Sequence, residues 1–237
     1  MTRYTLDRGR WIVRGVKILQ SKVASLVICL TSYGNDQLPA TGFEWEGVTA
    51  QLRSHRIFLR DQMQHWYLGP ILDFSYSYAD TLANLRRYIM ENGITRVALI
   101  GSSMGGFAAM KLGSDISADL VLAFAPQACL HAAWRERALD RRWPWKMAEI
   151  ANIGYDGLDV RRAYISSAPA STVLFYDSSL HVDRQHARHM EGLPGVELIE
   201  VEGGHHVATP LARAGEITRR LKQFESALEL THEHGAA

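Results

Sequence analysis

Cysteine is scarce in this sequence. The two among 237 residues, Cys29 and Cys129, lie in and just after apolar runs, which excludes a disulfide-stapled scaffold and fits packed, reduced thiols. Long apolar runs are missing too: nothing approaches the roughly 18 consecutive apolar residues of a membrane span. The charged N-terminal stretch MTRYTLDRGRW lacks the apolar core of a signal peptide. The expectation is a soluble, cytoplasmic protein without a membrane span. Nor does charge of one sign prevail. With 26 basic and 25 acidic residues the formal net charge is +1, too small for the electrostatic footprint of a nucleic-acid binder. Internal repeats and low-complexity segments are also absent.

What is present is a series of apolar runs of strand length: SLVICL (25–30), RIFL (56–59), RVALI (96–100), DLVLAF (119–124), TVLFY (172–176) and VELIEV (196–201). They are near-continuous rather than alternating, as strands covered on both faces should be. Segments of helical period lie between several of them. Leu82, Leu85 and Ile89 share a face that stops at Gly93, and Ala214, Ile217, Leu221, Phe224 and Leu228 share another that starts at Thr209-Pro210. The alternation predicts one α/β domain over residues 1–237, a doubly wound, mostly parallel sheet with helices on both faces. WIVRGVKIL (11–19) is a candidate for antiparallel strands at one edge, and THEHGAA for a frayed tail. About 45 residues, 127–171, separate two strands where such a fold needs far fewer. This segment holds Trp134, Trp143, Pro144 and Trp145 and many arginines, and reads as a short helical lid insertion, the alternative being an ordinary crossover helix with a long loop.

Chemistry concentrates in ALIGSSMGGFAAM (98–110). A serine presented at the tip of a strand-turn-helix elbow needs minimal side chains two positions before and after it. Gly101 and Gly105 meet that need around Ser103, and no such pair flanks Ser102. Gly106, Ala108 and Ala109 suit a helix packed close to a sheet, with Gly113 placed to end it. The N-terminus of that helix faces any developing negative charge.

With its strand, elbow and small-residue helix, the order of elements resembles the α/β-hydrolase family over roughly residues 20–225. The resemblance implies a Ser, Asp or Glu, His order along the chain, with Ser103 as nucleophile. It puts the histidine in a loop after the last strand, where VEGGHHVATPL offers His205 and His206, and favours His205, which directly follows the glycine. It puts the acid beyond TVLFY, where Asp177 abuts the strand end and is favoured; Asp183 stays open but also has the position of a helix N-cap. The oxyanion donors it implies are the backbone N–H of Met104 and, from the loop in SLVICLTSYGND, that of Tyr33 or Ser32.

FLRDQMQHWYLGP (58–70) crowds Arg60, Asp61, His65, Trp66 and Tyr67 at a strand end. There Trp66, with Trp143 of the lid, would line an aromatic substrate pocket, the alternative being that Trp66 and Tyr67 simply cover the sheet edge, while Arg60 and Asp61 read equally as a structural ion pair. His181, Asp183, His186 and His189 have helical spacing but read as an exposed helix face rather than a metal site. Arg135, Arg137, Arg141, Arg142 and Lys146 outnumber Glu136 and Asp140, usually the mark of a solvated helix face and otherwise an attraction for acidic substrates. The resulting expectation is a serine hydrolase acting on a small-molecule carboxylic ester or thioester, without cofactor or metal. Acyl transfer would use the same residues. The alternative is a non-catalytic partner-binding or scaffold protein built on the same fold.

Overall fold

A computed structural model describes residues 6–7, 10–11, 15–34 and 42–233, with side chains over 15–34 and 42–226. Two short strands, β1 (Leu6–Asp7) and β2 (Arg10–Trp11), pair with each other. The main sheet has seven strands: β3 (Val16–Leu19), β4 (Ser25–Leu30), β5 (His55–Leu59), β6 (Arg96–Ser102), β7 (Leu120–Phe124), β8 (Thr172–Tyr176) and β9 (Val196–Glu200). Their order across the sheet is β3-β5-β4-β6-β7-β8-β9. All neighbours are parallel except β3, which runs antiparallel to β5 with Val16 opposite Leu59. The predicted antiparallel edge is therefore Val16–Leu19. Trp11 belongs instead to the separate β1–β2 pair, and 12–14 fall outside the described residues.

The near-continuous apolar runs become strands because both faces are covered. Leu26, Ile28 and Leu30 of β4 point into one core and Val27 and Cys29 into the other, and β6 repeats the split with Val97 and Leu99 against Ala98 and Ile100. One face carries α2 (Tyr78–Glu91) and α3 (Met104–Asp115); the other carries α1 (Glu46–Thr49) and α9 (Glu216–Glu233). The side chain of Ser77 caps α2 by accepting from the Asp80 N–H at 3.1 Å. Both cysteines are free and buried.

Three details differ from the sequence expectation. Gly113 does not end α3 but lies within it, because a Cβ there would stand 2.6 Å from Val121 Cγ2; its absence lets the helix settle on β7. The last helical face is split: α8 (Ala208–Arg213) and α9 are separated by Gly215, whose φ of +73° breaks the helix. Thr231–Glu233 of the predicted tail continue α9, and 234–237 lie outside the described residues.

The long segment before β8 holds α4 (Ala132–Arg137), α5 (Pro144–Ile153) and α6 (Val160–Ser166). Helix α6 is the crossover onto β8: Ser114 of α3 donates to the Ser167 carbonyl at 2.5 Å, and the hydroxyls of Tyr164 and Thr172 are 2.8 Å apart. The surplus is α4 and α5, whose connecting residues 138–143 turn toward the carboxyl ends of the strands.

Candidate active site

In an open parallel sheet the carboxyl ends of the strands form a crevice, and the chain's chemistry-bearing residues meet there. Strand β6 ends at Ser102 and α3 starts at Met104, so the whole turn is Ser103 (φ 52°, ψ −117°), strain of about 1–3 kcal/mol that the packing must hold. It is held from all sides. A Cβ on Gly101 would be 2.1 Å from the Gly105 carbonyl oxygen, and one on Gly105 would be 2.4 Å from that of Leu30. The Ser103 N–H donates to Phe124 O at 2.8 Å, and the Ser102 hydroxyl bonds the same carbonyl at 3.3 Å. Ser103, with its hydroxyl toward the crevice, is the serine that meets a histidine.

That histidine is His205. Gly203 (φ +154°) and Gly204 (φ +62°) bend the chain after β9 into a 3-10 turn, Gly204–His206. The turn sets His205 Nε2 3.0 Å from Ser103 Oγ. Its Nδ1 lies 2.8 Å from Asp183 Oδ2. A carboxylate only accepts, so Nδ1 carries the proton and donates, leaving the Nε2 lone pair to accept from the serine hydroxyl.

The carboxylate at His205 is thus Asp183, and not the favoured Asp177. Asp183 sits in the first turn of α7 (His181–His189), whose N-cap is Leu180, so the N-cap reading of Asp183 does not hold. Asp177 stands beneath the histidine loop. One of its oxygens accepts the N–H groups of Gly203 (3.0 Å) and Gly204 (2.8 Å), the other the N–H and hydroxyl of Ser179 (2.9 and 2.5 Å). The Ser179 and glycine donors hold its carboxyl well below the usual carboxylate range.

The remaining predicted residues divide. Glu44 accepts both the N–H and the hydroxyl of Ser32, while burial raises its carboxyl above the ordinary value. The Ser32 N–H is therefore committed, and of the two loop donors proposed from sequence Tyr33 is the one left. Tyr33, Trp66 and Trp143 form one aromatic cluster with ring centroids 5.0–5.7 Å apart. The other tryptophans of the segment before β8 do not join it: Trp134 packs on His186 and His189, and Trp145 is 68% exposed. Arg60 reaches Gly42 O and lies over the Phe43 ring, whereas Asp61 accepts the N–H groups of His65 and Tyr67. They organise separate loops. Tyr67 is buried, donating to Thr31 O and Leu59 O.

Sequence reasoning missed two sets of residues. Gln127 donates from Nε2 to Ser103 Oγ at 3.1 Å and accepts the Trp66 indole N–H on Oε1 at 3.0 Å, so it links the serine to the aromatic cluster. Its only signal was its place just past β7, next to the elbow strand. The second set replaces the expected solvated faces. His186 is wholly buried; its Nδ1 accepts from the Ala128 N–H at 3.0 Å and its Nε2–H donates to Asp140 at 3.0 Å. Burial pushes its titration down to about 4, outweighing the pull of Asp140. Arg142 spans Asp140 and Asp183, each at 2.9 Å. Burial works to raise the Asp140 carboxyl, but bonds from His186 and Arg142 prevail and hold it far below its ordinary value.

The helical His/Asp set offers no shared metal shell, since Asp183, His186 and His189 face different partners. Among the described residues, Cys129, Asp159 and His189 bring ligand atoms within 4.8 Å of one another, with His189 Nε2 already 2.8 Å from Asp159 Oδ1. Among those residues, too, no helix is long and apolar enough to cross a membrane.

No protein-family model and no curated sequence matches the chain. Solved structures do. An esterase from Exiguobacterium antarcticum is similar at TM-score 0.55 and 15% identity, over 89% of this chain and 94% of that one. The fluorophosphonate-binding serine hydrolase F of Staphylococcus aureus matches at 0.58 and 11%, over 87% and 85%. The capsule O-acetyltransferase of Neisseria meningitidis serogroup A matches at 0.57 and 13%, over 90% and 96%. The chain has the α/β-hydrolase fold.

Proposed function

We propose that the protein is a serine hydrolase that cleaves a carboxylic ester or thioester through an acyl-enzyme on Ser103. The observation that carries this reading is the unbroken chain from Ser103 Oγ through His205 to Asp183, at 3.0 and 2.8 Å. His205 Nε2 takes the hydroxyl proton as Oγ attacks the carbonyl, and Asp183 holds the imidazole in the required tautomer and offsets its positive charge. The developing oxyanion meets the N–H of Met104, at the positive end of α3, and that of Tyr33. His205 then returns the proton to the leaving alcohol or thiol, and water attacks the acyl-enzyme by the reverse route. A hydroxyl acceptor in place of water would make the same site an acyltransferase, the kind of activity for which the meningococcal neighbour is named.

Tyr33 and Trp143 are half-buried and rest on the wholly buried Trp66, so we assign these two rings to the apolar part of the substrate, with Trp66 as their support and α4 and α5 as the lid above. A fluorophosphonate probe and a small aryl ester test the reading. Labelling should map to Ser103, and Ser103→Ala should lose hydrolysis by about 10³-fold or more. An unlabelled Ser103 in a protein without esterase activity would return the chain to a non-catalytic, partner-binding use of its fold, and full activity in S103A would overturn Ser103 as the nucleophile.

A further inference from the structure

The acid beside His205 has a second partner that the hydrolytic reading does not require. Arg142 Nη1 donates to Asp183 Oδ1 at 2.9 Å, while Asp183 Oδ2 serves His205. The same guanidinium grips Asp140 through Nε at 2.9 Å and Nη2 at 3.1 Å, and Asp140 in turn holds His186. Two Asp–His pairs are thus bridged by one arginine. Both carboxylates are nearly inaccessible, at 1% and 2%, so a cation between them is needed to offset their desolvation. Arg142 also belongs to the segment joining α4 to α5. Its guanidinium lies 5.3 Å from the centroid of the next residue, Trp143, which the φ of +48° turns onto Trp66 and Tyr33.

We infer that Arg142 is a positioning residue that sets the basicity of His205 from the lid: it part-neutralises Asp183 and thereby opposes protonation of the imidazole. The inference rests on the hydrolase reading of Ser103, His205 and Asp183. The groups facing the array are Asp183 and His186 from α7, Asp140 and Arg142 from 138–143, Arg135 from α4, and His205 and His206 from the loop after β9; Asp177 supports that loop. Arg135 lies 3.6 Å from Asp140 and donates to the Arg142 carbonyl, so it backs the same segment. The two carboxylates are matched by two guanidiniums. Removing one leaves a net negative charge beside His205, which favours imidazolium. Lid placement and base strength are therefore linked through a single side chain.

Arg142→Gln tests this through the pH dependence of kcat/KM on an aryl ester. The acid limb should move up by about one pH unit, and the plateau should fall several-fold as Asp183 loses its outer anchor. Arg142→Lys keeps the charge, so its limb should return toward the wild-type position while the plateau stays low, because an ammonium cannot fork between two carboxylates. Asp140→Asn should move the limb the other way, to lower pH, and it tests the inference even if R142Q does not fold. A merely architectural Arg142 would lower activity with the limb in place, and that result overturns the inference. The imidazole of His205 can also be titrated directly by ¹⁵N NMR in the wild-type protein and these variants. Should the protein prove inactive and unlabelled, the NMR shifts still decide the Arg142 inference separately.

Discussion

Asp177 and Asp183 show how two carboxylates six positions apart divide one task. Asp183 bonds a ring nitrogen of His205, and Asp177 bonds the backbone that carries the ring. We therefore expect Asp183→Asn to cut kcat by about 10³–10⁴-fold, the range for losing the orienting acid of such a triad, and to lower Tm as well, since Arg142 loses a buried carboxylate. Asp177→Ala should lose activity far less, about tenfold, while Tm again falls, since four donors lose their acceptor. Melting curves and kinetics on the two variants check this, and equal losses of activity in both would contradict the division. Proximity to a strand end favoured Asp177 in the sequence. It misled because a helical start at His181 brings Asp183 back over the strand ends, and linear spacing does not report that return.

At the level of elements, the sheet and its elbow depend on how closely α3 can lie. Gly101, Gly105 and Gly106 were legible as close-approach positions because the elbow needs them by geometry. Gly113 was read as a stop, since helix ends and tight helix–sheet contacts both select glycine. Its contact with Val121 makes a distinct forecast. Gly113→Ala should destabilise the protein by about 1–3 kcal/mol through overpacking, whereas a glycine at a helix end with open space around it would tolerate alanine far better. Urea unfolding of the variant decides between them. The segment with α4 and α5 was legible as surplus length, but its inward arginines were not: Arg135 and Arg142 look like surface residues until Asp140 and Asp183 are seen buried beside them.

Over the whole molecule, the buried polar array ties α7, residues 138–143 and the loop after β7 into one unit, and this gives stability a definite pH dependence. His186 titrates near 4 in the fold against an ordinary 6.5, so the unfolded chain binds more protons between those values and stability falls as pH drops through that window. The loss amounts to about 3 kcal/mol. Asp140 and Asp177, both held low by their partners, add their own losses only as pH falls below the ordinary 3.8. Stability measured from pH 7 to pH 4.5 should fall steeply in the wild-type protein and less in His186→Gln; the same slope in both would show that His186 is not the source. The parallel sheet, the elbow around Ser103 and the histidine loop follow from the amino-acid order alone, because strand burial, glycine geometry and turn position are local properties that each stretch of chain carries. Which acid meets His205, where Gln127 points and how Arg142 reaches Asp183 from between α4 and α5 depend on the packed chain. Those contacts join residues 22, 24 and 41 positions apart, and only the packing of helices on the strand ends sets their distances.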